Sequence, residues 1–359
     1  MSGINYFEIE GDARDLGLAH GKAAGELIAS ALNGWDEGLR TLTGLGRDEF
    51  IKRFLAAHNY RPGIAKYTPY LLDEVDAIAE GAEQDPDAIF AWQMVDEWLD
   101  YAIETFAVAK CSAFGGYDQG KGLPPLIGKT QDLPHFYLGH TALVRTKTRD
   151  GEFLNSGVVG IIGQDGLNDR GVGVCCNHVG HLQRDPSGVP VAFLLRDVLQ
   201  RAVSVDDAVS IIDSMPSASG MNYVIGDKSQ VVDIEVSAHD VVHYNPNPAM
   251  KRVWHTNHPL VNEHYADEIE LWNNMPDTEA GNTNARFASL EKSLSDDSTP
   301  LDLDLAKKTL SSREGPVSSL PDDDFPTVNA MIIEFYDEPV LHFCVGAPSE
   351  NPFREFTFE

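Results

Sequence analysis

Basic residues are scarce in this sequence: 27 lysines and arginines stand against 56 aspartates and glutamates in 359 residues, a formal net charge of -29. Phosphate contacts need Lys and Arg, so a nucleic-acid partner is excluded, and anionic membrane surfaces are disfavoured for the same reason. Cysteine is sparse too. Cys111, Cys175, Cys176 and Cys344 are too few for a disulfide framework and fit a reduced, cytoplasmic setting. No uninterrupted apolar run reaches the roughly 18 residues that a membrane span needs. Residues 1–15 carry acidic groups and no apolar h-region, so no signal peptide is expected. Also missing are a G-x-x-x-x-G-K-[ST] phosphate loop, a G-x-S-x-G serine elbow, H-E-x-x-H and C-x-x-C. What remains is an ordinary globular composition, 42% hydrophobic, whose acidic excess is spread along the chain as a solubilising coat.

The pattern of apolar residues changes near residue 110. Before it, Leu16, Ala19, Ala23, Leu27 and Leu32 recur at helical spacing, as do Leu71, Val75, Ile78 and Ala82, then Ile89, Trp92, Val95 and Trp98. With Asp12 as a first N-cap and Asp85-Pro86 opening the last helix, residues 1–110 read as four or five helices after a short strand at Tyr6 to Ile9. After residue 110 the period shifts towards two. Hairpins are predicted for 142–147 with 152–158, 222–225 with 231–236, and 331–336 with 340–345, and Asn168 to Gly171 turns the chain into 172–177. Helices are expected at 191–202, 206–214, 285–294 and 303–310, and loops at 262–282 and 311–326. Hairpins and helix pairs in separate blocks imply an α+β fold with antiparallel sheets.

Cys111 sits at the junction. A lone cysteine is ordinarily a small buried hydrophobe. Cut before Cys111, however, the chain would carry a thiol and a free α-amine on one residue. The amine, with an ordinary pKa of about 7.7–8.0, could accept the thiol proton near neutral pH. Such a site needs a donor for a tetrahedral oxyanion and a carboxylate for the amine. Asn222, opening a strand after a Ser/Gly-rich turn, suits the first, although turn capping explains it equally. Asp132, 21 residues after Cys111 on the next strand, suits the second. Arg286, at the start of a late helix, could pair with a carboxylate; Lys129 and Arg145 are the other bases near these motifs. The Cys175-Cys176-Asn177-His178 run and the His255-Thr256-Asn257-His258 run resemble metal ligands. Neighbouring cysteines on a strand point to opposite faces, so no metal is expected.

These pieces, in this order, resemble the acyl-coenzyme A:6-aminopenicillanic-acid acyltransferase family, isopenicillin N acyltransferases and their hydrolase relatives, which are N-terminal-nucleophile (Ntn) hydrolases. The resemblance runs through Gly17-Leu18-Ala19-His20-Gly21, Cys111-Ser112, Gly128 to Asp132, Gly166 to Val172, Ser217-Ala218-Ser219 with Asn222-Tyr223, Ile234-Glu235, His255 to His258, and Arg286. It implies an αββα four-layer sandwich with an N-terminal helical segment. It also implies an inactive precursor that cuts itself between Lys110 and Cys111, giving fragments 1–110 and 111–359 that stay associated, with homo-oligomers left open. By resemblance, Cys111 is the nucleophile, Asp132 orients the new amine, Asn222 donates to the oxyanion and Arg286 supports the carboxylate. His20, Ser112, Asn177, His255 and Asn257 are implied as pocket or supporting residues. The activity implied is transfer of an acyl group from a small N-acyl amide, through a thioester on Cys111, to water or an amine. An acyl-thioester donor is a second possible partner, and no cofactor is implied. Two alternatives are an uncut Cys/His hydrolase, with His20, His255 or His258 as base, and a non-catalytic binding protein on the same fold.

Overall fold

The computed structural model describes residues 3–102, 110–117, 121–246, 250–267 and 277–358. Strand β1 (Tyr6–Glu10) leads into α1 (Ala13–Thr43). Asp12 caps α1 by accepting the Asp15 N–H at 3.1 Å, as its place before the apolar stripe predicts. Leu16, Ala24, Ile28, Leu32, Trp35 and Leu39 recur down one face and are all buried. Five shorter helices follow: α2 (Arg47–Ala57), α3 (Arg61–Tyr67), α4 (Tyr70–Gly81), α5 (Pro86–Trp92) and α6 (Val95–Tyr101). The apolar period runs unbroken from Ile89 to Trp98, yet the helix breaks at Met94. The Gln93 amide donates to Gly160 O at 2.8 Å and accepts the Ile162 N–H at 3.0 Å, so a distant loop holds the break. Gly17 and Gly21 mark where α1 crosses α4. A Cβ would meet Glu74 O at 2.1 Å on Gly17 and Ile78 O at 2.4 Å on Gly21.

Two sheets follow. The first has the order β1-β4-β5-β6-β7-β8-β9-β10, with β4 (Thr141–Thr148), β5 (Gly151–Val158), β6 (Asp165–Asn168), β7 (Gly173–His178), β8 (Met221–Gly226), β9 (Val231–Val236) and β10 (Val241–Tyr244). The second has the order β11-β2-β3-β12-β13-β14, with β2 (Lys110–Gly116), β3 (Leu126–Asp132), β11 (Arg252–His255), β12 (Thr327–Glu334), β13 (Val340–Val345) and β14 (Arg354–Phe356). The three expected hairpins form. Strands β10, β11 and β14 went unread, being only three or four residues long.

Alternation along the strands sorts the side chains into layers. Leu143, Leu154, Leu167, Cys175 and Val224 of the first sheet pack against Ala113, Ile127, Val253, Met331 and Ile333 of the second. Val144, Phe153, Val174 and Tyr223, on the first sheet's other face, share a core with Trp35, Trp92 and Trp98 of the early helices and with α7 (Val191–Arg201) and α8 (Val205–Asp213). Phe114, Leu126, Ala330 and Ile332, on the second sheet's other face, pack against α9 (Asp277–Leu294) and α10 (Leu303–Leu310). Helix, sheet, sheet, helix is the α+β four-layer order that the resemblance implies. One boundary is corrected: α9 begins at Asp277, inside the loop expected over 262–282, and residues 268–276 of that loop lie outside the described residues.

Candidate active site

Cys111 is the second residue of β2, buried between the layers. Its backbone is held on both sides, at the amide before it and at the carbonyl after it. The Cys111 N–H donates to Asn257 Oδ1 at 2.9 Å, and the Cys111 carbonyl accepts from Arg286 Nη1. The guanidinium also reaches Ser112 Oγ at 3.1 Å, Asn257 Oδ1 at 2.7 Å and Asn282 Oδ1 at 2.5 Å. Arg286 belongs to α9, and Asn257 lies just beyond β11. Asn257 is itself tied by two donations, from its side-chain amide to His178 O at 2.9 Å and from its backbone N–H to Thr283 Oγ1 at 3.0 Å. Helix and sheet thus converge on one backbone unit.

Register decides what faces what. Lys110 lies opposite Asp132 and Cys111 opposite Gln131 in the antiparallel β2–β3 pair. Directly opposed residues share a face and successive ones alternate. The thiol therefore shares the inner face with Gln131 and Lys129, whereas the Asp132 carboxylate lies on the other face, towards Arg286. Asp132 Oδ1 accepts the Thr327 hydroxyl at 2.5 Å, and Asp132 Oδ2 is buried without a hydrogen-bond partner. Burial pushes the Asp132 carboxyl up to about 7, opposed first by Arg286 and then by Thr327. Burial also pulls the Arg286 guanidinium below its ordinary value, with Asp132 opposing.

The thiol faces a cavity of about 20 Å3, room for a single water, lined by Lys129, Gln131, Gln164, Cys176 and His178 among others. Burial pushes the Cys111 thiol up to about 12, and Lys129 is the main opposing influence. The thiol is therefore held in its neutral form near pH 7, and attack requires a base. Lys129 is held by Asp165, whose carboxylate oxygens lie 2.8 and 2.7 Å from Nζ, and it reaches Cys176 Sγ at 3.6 Å.

Other expected residues are placed differently. Asn222 is buried, but its amide donates to Asp233 Oδ1 and, at 3.2 Å, to Ile234 O, while its Oδ1 accepts Asn177 Nδ2 at 3.3 Å. Asn177 also reaches His255 O at 3.3 Å. His255 is committed to Glu235 at 2.8 Å and to Thr256 O at 2.9 Å, His258 Nδ1 to the Thr256 and Thr283 hydroxyls, and His20 Nε2 to the Gly160 N–H. None of these three imidazoles meets Cys111 Sγ among the described residues. Arg145 pairs with Glu152 and Phe358 O, away from the thiol. Cys175 and Cys176 fall in different layers, as their adjacency on a strand predicts. The described residues hold no group of three or more His, Cys, Asp or Glu arranged for a metal. Asp165, Thr283 and Thr327 went unread as site residues. Their partners lie 36, 26 and 195 residues away, and no local pattern marks them.

Residues 118–350 match the acyl-coenzyme A:6-aminopenicillanic acid acyl-transferase family, a match that begins beyond Cys111. Among solved structures, a Caenorhabditis elegans ortholog of N-acylethanolamine-hydrolyzing acid amidase is similar at 16% identity and a TM-score of 0.45, over 62% of this chain and 92% of that one. A mutant conjugated bile acid hydrolase from Clostridium perfringens is similar at 14% identity and a TM-score of 0.45, over 68% and 92%. Penicillin V acylase from Agrobacterium tumefaciens is similar at 12% identity and a TM-score of 0.41, over 69% and 86%.

Proposed function

Because the chain belongs to the acyl-coenzyme A:6-aminopenicillanic acid acyltransferase family, we propose that it is an amide hydrolase or acyltransferase that activates itself by cutting between Lys110 and Cys111. The observation that carries this reading is the grip on the Cys111 peptide by Asn257 and Arg286. Holding that unit still keeps the thiol and the preceding carbonyl in one geometry.

In the proposed self-cleavage, Cys111 Sγ attacks the Lys110 carbonyl carbon and the C–N bond breaks. The nitrogen leaves with a proton as the new α-amine, and water then hydrolyses the Lys110 thioester. In the cut enzyme, the amine takes the thiol proton and the thiolate attacks a substrate amide. The leaving amine takes the proton back. The acyl-thioester passes its acyl group to water or to a second amine, which could make a thioester an alternative acyl donor. Asn257 Oδ1 accepts one amine hydrogen, leaving the lone pair for the thiol. Asp132 Oδ2, buried and without a partner, accepts another. Asn222 serves the oxyanion once its amide turns from Asp233. Burial pushes the Asp233 carboxyl up to about 7, and in its neutral form it can donate to Asn222 Oδ1 and release the amide. Fragments 1–110 and 111–359 stay together, since Trp35, Trp92 and Trp98 share one core with Val144, Phe153 and Val174.

The test is the intact mass of the purified protein with and without Cys111→Ala. Two fragments split at Lys110–Cys111 in the wild type alone are expected. An uncut wild type that still releases amine from acyl amides would eliminate the α-amine as base.

A further inference from the structure

Self-cleavage needs a base before the α-amine exists. The nitrogen that serves the cut enzyme is still the Lys110–Cys111 amide in the precursor, and burial pushes the Cys111 thiol up to about 12. Another group must take its proton. A base has to lie within hydrogen-bond reach of that proton or be joined to it by one water, so the water-sized cavity that the thiol faces holds the candidates. Four titratable side chains share its wall with Cys111: Asp96, Lys129, Cys176 and His178.

Three of the four are otherwise engaged. Lys129 is a cation held by both oxygens of Asp165. Burial pushes the Cys176 thiol well above its ordinary value. His178 turns Nε2 to Asp100 Oδ1, 3.0 Å away, and Arg184 shares that oxygen at 3.1 Å. Asp96 is different. It is the only Asp or Glu among the lining residues, and its carboxylate has no hydrogen bond among the described residues. Every other residue from Ala88 to Asp100 is buried, whereas Asp96 is half-buried and has surface to offer a water. The break at Met94, which Gly160 and Ile162 hold through Gln93, ends α5 and restarts the chain as α6 with Val95 and Asp96 on the cavity wall. Burial raises the Asp96 carboxyl above its ordinary value; His178 and Lys129 oppose this, and Asp100 and Asp165 add to it. The Asp96 charge in turn acts on Glu97, Cys111, Cys176, Tyr137 and Tyr223. A raised carboxyl is a stronger base than a solvated one.

We propose that Asp96 is the base for self-cleavage, acting on the Cys111 thiol through one water in the shared cavity. This rests on the reading of Lys110–Cys111 as the bond that is cut. Ionised Asp96 takes a proton from the water while the water takes the thiol proton, and the S–C bond forms at the Lys110 carbonyl carbon. The proton returns by the same route to the Cys111 nitrogen as the C–N bond breaks, so Asp96 ends ionised. Asp96 belongs to fragment 1–110 and the thiol to fragment 111–359, so the thiol gains its base only when the helical segment has docked on the sheets.

The test follows the loss of full-length mass after cell-free synthesis of the whole chain and rapid exchange into buffers from about pH 5 to about pH 9. With a carboxylate base, the wild-type rate should rise as Asp96 ionises and then level, although the thiol stays neutral throughout. In Asp96→Asn the rate near neutral pH should fall roughly 10^2-fold or more, and the profile should climb about tenfold per pH unit without levelling, as expected of a thiolate formed by hydroxide. Asp96→Glu should recover part of the lost rate. In a Cys111→Ala background, Asp96→Asn should be no less stable to urea at neutral pH, because a raised carboxyl without a partner costs stability once ionised. A wild-type profile that never levels, or an Asp96→Asn chain that cuts at the wild-type rate, would overturn Asp96 as base and leave the cut itself standing. The first of these comparisons does not depend on any variant folding. Slow cutting together with lost stability would make the role structural and overturn the proposal as well. A wild type that stays whole at every pH would overturn the self-cleavage reading, and this proposal with it.

Discussion

Neutralising Lys129 should strand a negative charge between the two sheets. Lys129 Nζ lies 2.8 and 2.7 Å from the oxygens of Asp165, and the two side chains are 2% and 1% exposed. Removing one partner of such a pair leaves the other uncompensated, at a cost of about 3–5 kcal/mol. Lys129→Met should cost that much. Asp165→Leu should cost more, because Asp165 Oδ1 also accepts the Cys176 N–H at 2.8 Å, and an orphaned N–H adds about 1–3 kcal/mol. The double variant removes both charges and keeps only the orphaned N–H. Its loss should therefore be about 1–3 kcal/mol, well below the sum of the singles. A second signature follows from pH. A lone buried carboxyl has its pKa raised above the unfolded value, so the folded state takes up the proton first and the Lys129→Met penalty shrinks as the solution is acidified. Urea denaturation of the four proteins in a Cys111→Ala background, where chain cutting cannot complicate the transition, measures all of this. A double variant as unstable as the sum of its singles would refute mutual charge compensation.

Arg286→Lys keeps the charge but loses the fork that spans Cys111 O, Ser112 Oγ and Asn257 Oδ1. Chain cutting should slow by about 10^2-fold in a mass time course, and an unchanged rate would show that the carbonyl grip is irrelevant. Asp132→Asn preserves an acceptor for the Thr327 hydroxyl but removes the carboxylate from the amine, so amide turnover by cut protein should fall about 10^2-fold with the fold intact. Turnover at the wild-type level would remove Asp132 from the mechanism. Burial lowers the His20 imidazole to about 4, so from pH 6.5 down to 4 the unfolded chain binds a proton that the native state refuses, and stability is lost through that window. The loss reaches about 3 kcal/mol, and His20→Gln, which can still accept the Gly160 N–H, should flatten the acid limb of the unfolding profile by that amount. An acid midpoint that does not move would exclude His20 as its source.

Hairpins, long helices and the change of period at residue 110 were legible because each arises from residues close in sequence. The Asp12 and Asp85 caps were legible for the same reason, each accepting an N–H three residues on. Elements of three or four residues were not, since so short a stretch has no measurable period. Asp132 was placed near Cys111 from adjacent strands alone; register sets it beside Lys110, and pleating sends its carboxylate to the face away from the thiol. Asn257, read only as a supporting residue, is the one that receives the Cys111 N–H. Asn222, read as a donor to the reaction, gives its amide to Asp233.

By itself, the sequence determined that this is an acidic α+β protein whose apolar period changes near residue 110, with a cysteine at the change and a family resemblance in its motifs. It did so through composition, periodicity and ordered short motifs, all properties of the chain taken locally. Tertiary structure alone decided which atoms meet. Asn257 and Arg286 close on the Cys111 backbone from 146 and 175 residues away, and Thr327 reaches the Asp132 carboxylate from 195. Such meetings depend on strand register and on the stacking of layers, where a shift of one residue sends a side chain to the opposite face, and no local pattern encodes that shift.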